Sequence, residues 1–169
     1  YGVKHATVDI PFLGELGRSA LTNLSMSVPA LVPEELASRE ATEKSATAVW
    51  VPNRNGLLIA IAASFAESLR AERVLIGFNR EEAETFSDNS EEFGRLTTQA
   101  LALSTRTGVV VESLTGRWLK RQIVLELQKL SGPKFPFELV WSCYEAGPSR
   151  CGRCESCRRF ERAVTEERI

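Results

Sequence analysis

Apolar residues at Leu57, Leu58, Ile61, Phe65 and Leu69 fall three and four positions apart, which predicts a helix over 54–70 with Asn53 as its N-cap. The run Val74-Leu75-Ile76-Gly77-Phe78 is nearly continuous, and it predicts a strand over 73–78 buried on both faces. The charged stretch 79–90 reads as a loop. A second helix follows over 91–106, with Phe93, Leu96, Ala100 and Leu103 inward and Gly108 placed to stop it. Residues 109–114 repeat the buried-strand pattern. Helix 118–130 carries Leu119, Ile123, Leu127 and Leu130, and Gly132-Pro133 ends it.

Nearer the start, 5–10 is short and β-branched and stops at Pro11, as a strand would. Phe12 to Leu16 suits a short helical turn. Residues 18–52 lack periodicity and hold Pro29, Pro33 and Pro52, so they read as one long loop, functional or disordered. Helices alternating with short strands predict an α/β fold with a mainly parallel sheet, Rossmann-like, covered by helices on both faces. Ligands in such folds bind beyond the carboxyl ends of the strands. That rule singles out the loops after Ile10, Ile76 and Leu114. The expected organisation is a partial α/β nucleotide-binding domain over 1–140 and a metal-binding segment with a helix over 141–169.

Composition excludes some functions. Of 169 residues 43% are apolar and 25% charged, the net charge is −1 and the pI is near 6.0. An acidic balance offers no overall basic footprint, so direct nucleic-acid binding is not expected. No stretch approaches the roughly 20 apolar residues of a membrane span, and Tyr1 to His5 has no signal-peptide character.

Cysteine placement adds chemistry. Cys143, Cys151, Cys154 and Cys157 lie within one short segment, and none precedes them. Disulfide scaffolds spread their cysteines, so reduced, metal-ligating thiolates in a cytoplasmic protein are the expectation. The pattern Cys143-x7-Cys151-x2-Cys154-x2-Cys157 lets tight turns place four sulfurs about 2.3 Å from one zinc ion. Four thiolates leave no open position, which makes the zinc structural. An iron–sulfur cluster uses the same ligands, and a redox pair would explain two of the four. Arg150, Arg153, Arg158, Arg159 and Arg162 surround the cluster, either to grip phosphate or, on the favoured reading, to offset its charge.

Further residues carry a resemblance. Trp141-Ser142-Cys143-Tyr144 followed by Cys151-Gly152-x-Cys154-x-Ser156-Cys157 resembles the C-terminal signature of 7-cyano-7-deazaguanine synthases, ATP-dependent enzymes of queuosine and archaeosine biosynthesis. Val51-Pro52-Asn53-Arg54-Asn55 is similar to that family's Val-Pro-x-Arg-Asn motif. Ile76-Gly77-Phe78-Asn79 resembles its following strand end, and Ser87-Asp88-Asn89-Ser90-x-Glu92-Phe93 its Pro-Asp-x-x-x-Glu-Phe stretch, with Phe86-Ser87 replacing a common Tyr-Pro. Lys120 falls where relatives carry lysine. The resemblance runs from about Val3 to Val164.

The resemblance implies ATP with Mg²⁺ as cosubstrate, a 7-carboxy-7-deazaguanine substrate, ammonia and a homodimer. It implies substrate or nucleotide contacts at Arg54, Asn55, Gly77, Asp88 and Lys120, and zinc at the four cysteines. Residue chemistry agrees at Arg54, because a guanidinium on a first helical turn adds a bidentate fork to free N–H groups that favour anions. The family's Ser-Gly-Gly-x-Asp-Ser loop does not occur in these residues. The expectation is therefore an incomplete piece preceded by at least one βαβ unit, about 30 or more residues, and inactive on ATP alone. Three rivals remain: a tRNA-thiolating relative, a non-catalytic zinc-ribbon module, and a relative recruited to another substrate.

Overall fold

The computed structural model describes residues 2–131 and 135–165. In chain order the elements are α1 Phe12–Glu15, α2 Arg39–Val49, α3 Arg54–Ser68, β1 Arg73–Leu75, α4 Arg80–Ala83, α5 Glu91–Ser104, β2 Val110–Glu112, α6 Lys120–Ser131 and α7 Glu155–Thr165. Short 3₁₀ turns lie at Pro33–Ala37, Ser87–Asn89 and Phe137–Leu139. β1 and β2 pair in parallel, with Val74 opposite Val111, so the chain is a helix-rich α/β fold.

The core is Ile59, Ala63 and Ala66 of α3, Val74 and Phe78, Leu101 of α5, and Val109 and Val111. Both strands are thus buried on one face among the described residues. Leu75 is 62% exposed and Val110 also faces outward, which corrects the expectation of two covered faces. The reason is that α3 and α5 pack against the same side of a two-stranded sheet.

The predicted inward stripes also shift. α3 buries Ile59, Ala63 and Ala66, while Leu58, Phe65 and Leu69 are exposed. This helix is apolar nearly all round, so periodicity cannot select a face; alanines win because they let the backbone approach the sheet. α5 buries Gly94 and Leu101, and Leu103 is 93% exposed. Gly108 does not stop α5, which ends at Ser104; with φ +66 it turns the chain into β2. The expected end of α6 at Gly132-Pro133 lies outside the described residues.

Two larger corrections concern the first third. Residues 5–10 form no strand, because a strand needs a neighbour and none of the described residues supplies one. The long loop 18–52 contains α2. Its buried face is Thr42, Ser45, Ala46 and Val49, helical in spacing but built from small and polar residues that an apolar pattern passes over. Ser38 starts it by accepting a hydrogen bond from the Ala41 N–H at 3.3 Å.

Candidate functional site

At the C-terminal end, four sulfurs converge. Gly152, at φ +69, turns the chain between Cys151 and Cys154, and α7 then presents Cys157 one turn on. The four Sγ atoms lie within 4.8 Å of one another, with Cys151 and Cys157 4.0 Å apart. A tetrahedral zinc site needs S–S edges of about 3.8 Å. Backbone N–H groups of Glu145 and Cys151 donate to Cys143 Sγ at 3.3 Å, and those of Cys154 and Cys157 donate to Cys151 and Cys154 Sγ at 3.4 Å. Such donors favour thiolates. Burial opposes ionisation of Cys151, yet hydrogen bonds from the Arg153 and Cys154 N–H groups, with those from the Cys143 and Cys154 side chains, together bring the thiol down to about 7. Burial pushes Cys154 and Cys157 up. A bound cation would overcome that penalty, so the donor set fits a metal.

The surrounding arginines all have partners within the protein. Arg153 pairs with Glu145 at 3.0 Å and Arg158 with Glu161 at 3.1 Å. Arg150 donates to the Val140 carbonyl at 3.2 Å and covers the Phe160 ring at 4.4 Å. Arg159 pairs with Glu155 at 2.9 Å, and Arg162 with Glu81 at 2.8 Å.

The centre is clasped from two sides. The Leu31 N–H donates to the Arg153 carbonyl at 2.9 Å, and Ala30 bridges Cys154. On the other side the buried Glu81 of α4 joins three elements. Its Oε1 accepts from the Lys120 N–H at 2.9 Å, and its Oε2 from Arg162 at 2.8 Å and Arg159 at 3.4 Å. Glu155, only 2% exposed, holds Arg159 from the start of α7. Tyr144 lies among these groups, and burial, followed by the charge of Glu155, raises its phenol well above the usual range. Lys120 ion-pairs with Glu82 at 2.6 Å.

The second group lies where α3 begins. α3 runs into β1, so its N-terminus meets the carboxyl edge of the strands. The Asn55 side chain donates to the Asp88 carbonyl at 3.3 Å, and the charge of Arg54 acts on the Asp88 carboxylate. Burial is the larger effect and raises the Asp88 carboxyl. Asn53 takes a left-handed conformation at φ 50 and makes no side-chain cap. Gly77, just past β1, is exposed, with open space where a side chain would be. Across the same edge, Ser113 and Thr115 hydroxyls donate to the Phe78 carbonyl at 2.9 and 2.6 Å.

Arg54, Asn55 and Asp88 therefore come together, while Lys120 joins the glutamates beside α7. The sequence offered no signal for Glu81 or Glu155, which looked like ordinary surface charges. Trp50 was equally silent, although its ring is parallel to that of Phe86 within 7° at 6.3 Å between centroids.

Residues 1–168 match the family model described as Queuosine biosynthesis protein QueC. The chain is 48% identical over 165 residues to the 7-cyano-7-deazaguanine synthase of Desulforudis audaxviator, covering 96% of this chain and 72% of that protein. It is 45% identical to the enzyme of that name from Desulforamulus reducens, covering 96% and 70%. The 7-cyano-7-deazaguanine synthase of Methanosarcina mazei is 40% identical, covering 96% and 71%. With the cysteine cluster, the assembled α3 edge and these matches in agreement, the chain belongs to the QueC family.

Proposed function

We propose that this chain is part of an ATP-dependent nitrile-forming ligase that converts 7-carboxy-7-deazaguanine and ammonia to 7-cyano-7-deazaguanine. The observation that carries this is the meeting of Arg54, Asn55 and Asp88 at the N-terminus of α3, in a chain whose relatives bear that name. The substrate carboxylate attacks the α-phosphorus of ATP and pyrophosphate leaves. Ammonia adds to the acyl adenylate, loses a proton and displaces AMP, giving the amide. The amide oxygen then attacks the α-phosphorus of a second ATP, and a second pyrophosphate leaves. AMP then departs with that oxygen as the nitrogen gives up its two protons, leaving the nitrile.

These residues serve that sequence by holding charge in place. The Arg54 guanidinium and the positive end of the α3 dipole would neutralise a carboxylate or phosphate. Asn55 fixes the Asp88 segment, and Asp88 accepts from the base edge. Gly77 leaves the strand edge open to nucleotide. Lys120, ion-paired with Glu82 among the glutamates beside α7, would reach nucleotide from that side. Mg²⁺ would accompany ATP. Zinc held by Cys143, Cys151, Cys154 and Cys157 supplies structural support only, because four thiolates leave no position for substrate.

The Rossmann-like nucleotide-binding character of 1–140, the separate role of 141–169, the homodimer and the cytoplasmic location are parts of the same proposal. No described helix is long and apolar enough to cross a membrane. The paired arginines around the metal site support the absence of direct nucleic-acid binding. These 169 residues alone are expected not to turn over ATP, since they contain no Ser-Gly-Gly-x-Asp-Ser loop.

The test is nitrile formation by the full gene product carrying this chain, followed by mass spectrometry with ATP, Mg²⁺ and ammonia present. R54A should lower kcat/KM by roughly 100-fold, about 2.7 kcal/mol of transition-state stabilisation. No nitrile from folded, zinc-loaded wild type would refute the function. Nitrile from the 169 residues alone would refute the assignment of ATP chemistry to residues outside them.

A further inference from the structure

We infer that Trp50 and Phe86 form the stacking platform for the deazapurine ring, with Asp88 reading the ring's hydrogen-bonding edge. The inference rests on the function proposed above and names the residues that would recognise its flat base.

Trp50 closes α2 in an extended conformation between two buried valines, Val49 and Val51. The indole is 39% exposed. Phe86 is held by its own segment: its N–H donates to the Glu82 carbonyl at 2.8 Å, and its carbonyl accepts from Asn89 at 3.0 Å. The two rings, supplied by segments 36 residues apart in sequence, differ in plane by 7°. A planar bicyclic base can therefore lie parallel to both at once. An open recess of about 600 Å³ adjoins Trp50, lined also by Arg18, Glu43, Ala46, Thr47, Pro52 and Thr85, the residue before Phe86. That size suits a small ligand.

The polar groups that neighbour these two rings in sequence are those a guanine-like base needs. Asp88 is two residues beyond Phe86, and Arg54 and Asn55 follow Trp50 within five. The Asn55 bond to the Asp88 carbonyl joins the two segments, so one aromatic and one polar group come from each side. A carboxylate accepts the ring N–H and the exocyclic amine together, while the π faces hold the ring plane. Such division of labour is general for bases recognised outside a duplex: stacking supplies affinity and edge contacts supply identity. The exposed Trp141 has no ring partner among the described residues and belongs to no such arrangement.

The test uses the zinc-loaded full gene product and 7-carboxy-7-deazaguanine. In calorimetric titration W50A should bind roughly 5- to 150-fold more weakly than wild type, the range of one base–aromatic stack. W50F, which restores a ring, should stay within about threefold of wild type. Trp fluorescence should be quenched by the base in wild type, W118F and W141F but not in W50F, although W50F still binds. W50L keeps apolar contact without a π face; with its melting temperature unchanged it should bind as weakly as W50A, so a folding defect in W50A does not hide the result. Wild-type affinity in folded W50A or W50L, or undiminished quenching in W50F, overturns the platform while leaving the function intact. Wild type that neither binds the base nor forms nitrile refutes the function and the platform with it.

Discussion

Asp88 illustrates how one side chain acquires a task from its surroundings. Burial raises its carboxyl, and the nearby charge of Arg54 and its hydrogen bonds pull the other way. Raised affinity for the proton means that Asp88 loses its charge at a higher pH than an exposed aspartate as the solution is acidified. A neutral carboxyl cannot accept both donors of a base edge. Binding of the uncharged nitrile product should therefore weaken as pH falls from neutrality toward the carboxylate range, and D88N should flatten that dependence. Calorimetry at several pH values checks both. A wild-type profile as flat as that of D88N would remove Asp88 from recognition. The motif was legible in the sequence because Ser87-Asp88 and Arg54-Asn55 stand in recognisable order. The bond that joins them was not, since 33 residues separate Asn55 from Asp88.

At the scale of elements, α7 depends on what precedes it. Its first turn carries Cys157 and the buried Glu155, and its approach is held by the Ala30–Cys154 bridge and the Leu31–Arg153 hydrogen bond. Substituting C154S replaces a wholly buried soft ligand with a hard one. Zinc affinity should drop by more than the roughly 10–100-fold typical of second-shell changes. Far-UV circular dichroism should lose helix as α7 and its clasp loosen. Metal analysis and dichroism of purified protein test this; full zinc content in C154S would contradict the ligand assignment. Stoichiometric iron with a visible absorbance band would replace zinc by a cluster. α2 shows the converse limit of pattern reading. Its helix exists because Ser38 caps it and because Ser45, Ala46 and Val49 pack, not because a leucine stripe announces it.

Across the whole molecule, Glu81 is the point where the metal centre and the α/β body meet. It binds the N-terminus of α6 with one oxygen and the arginines of α7 with the other. Removing one partner of a buried ion-pair network leaves the others desolvated and uncompensated, at a cost of about 3–5 kcal/mol. E81A should show that loss in denaturant unfolding of the zinc-loaded protein, with metal content unchanged because no ligand is touched. A loss within about 0.5 kcal/mol, the scale of a surface substitution, would mean that α7 is held by the metal and its clasp alone.

Spacing along the chain by itself determined the four-cysteine cluster, the helices that contain Leu57, Phe93 and Ile123, the two parallel strands and the motifs that carry the family. These signals are local: a turn between cysteines, a period of 3.6, a β-branched run. Which face each helix buries, whether 5–10 is paired, and how Asp88 meets Asn55 were decided only by tertiary structure. Each depends on a partner far away in sequence, and a nearly all-apolar α3 or a polar-faced α2 contains no local statement of which partner that is. The glutamate–arginine junction at Glu81 is the clearest case: charges that look solvated in sequence become buried and paired only when α4, α6 and α7 converge.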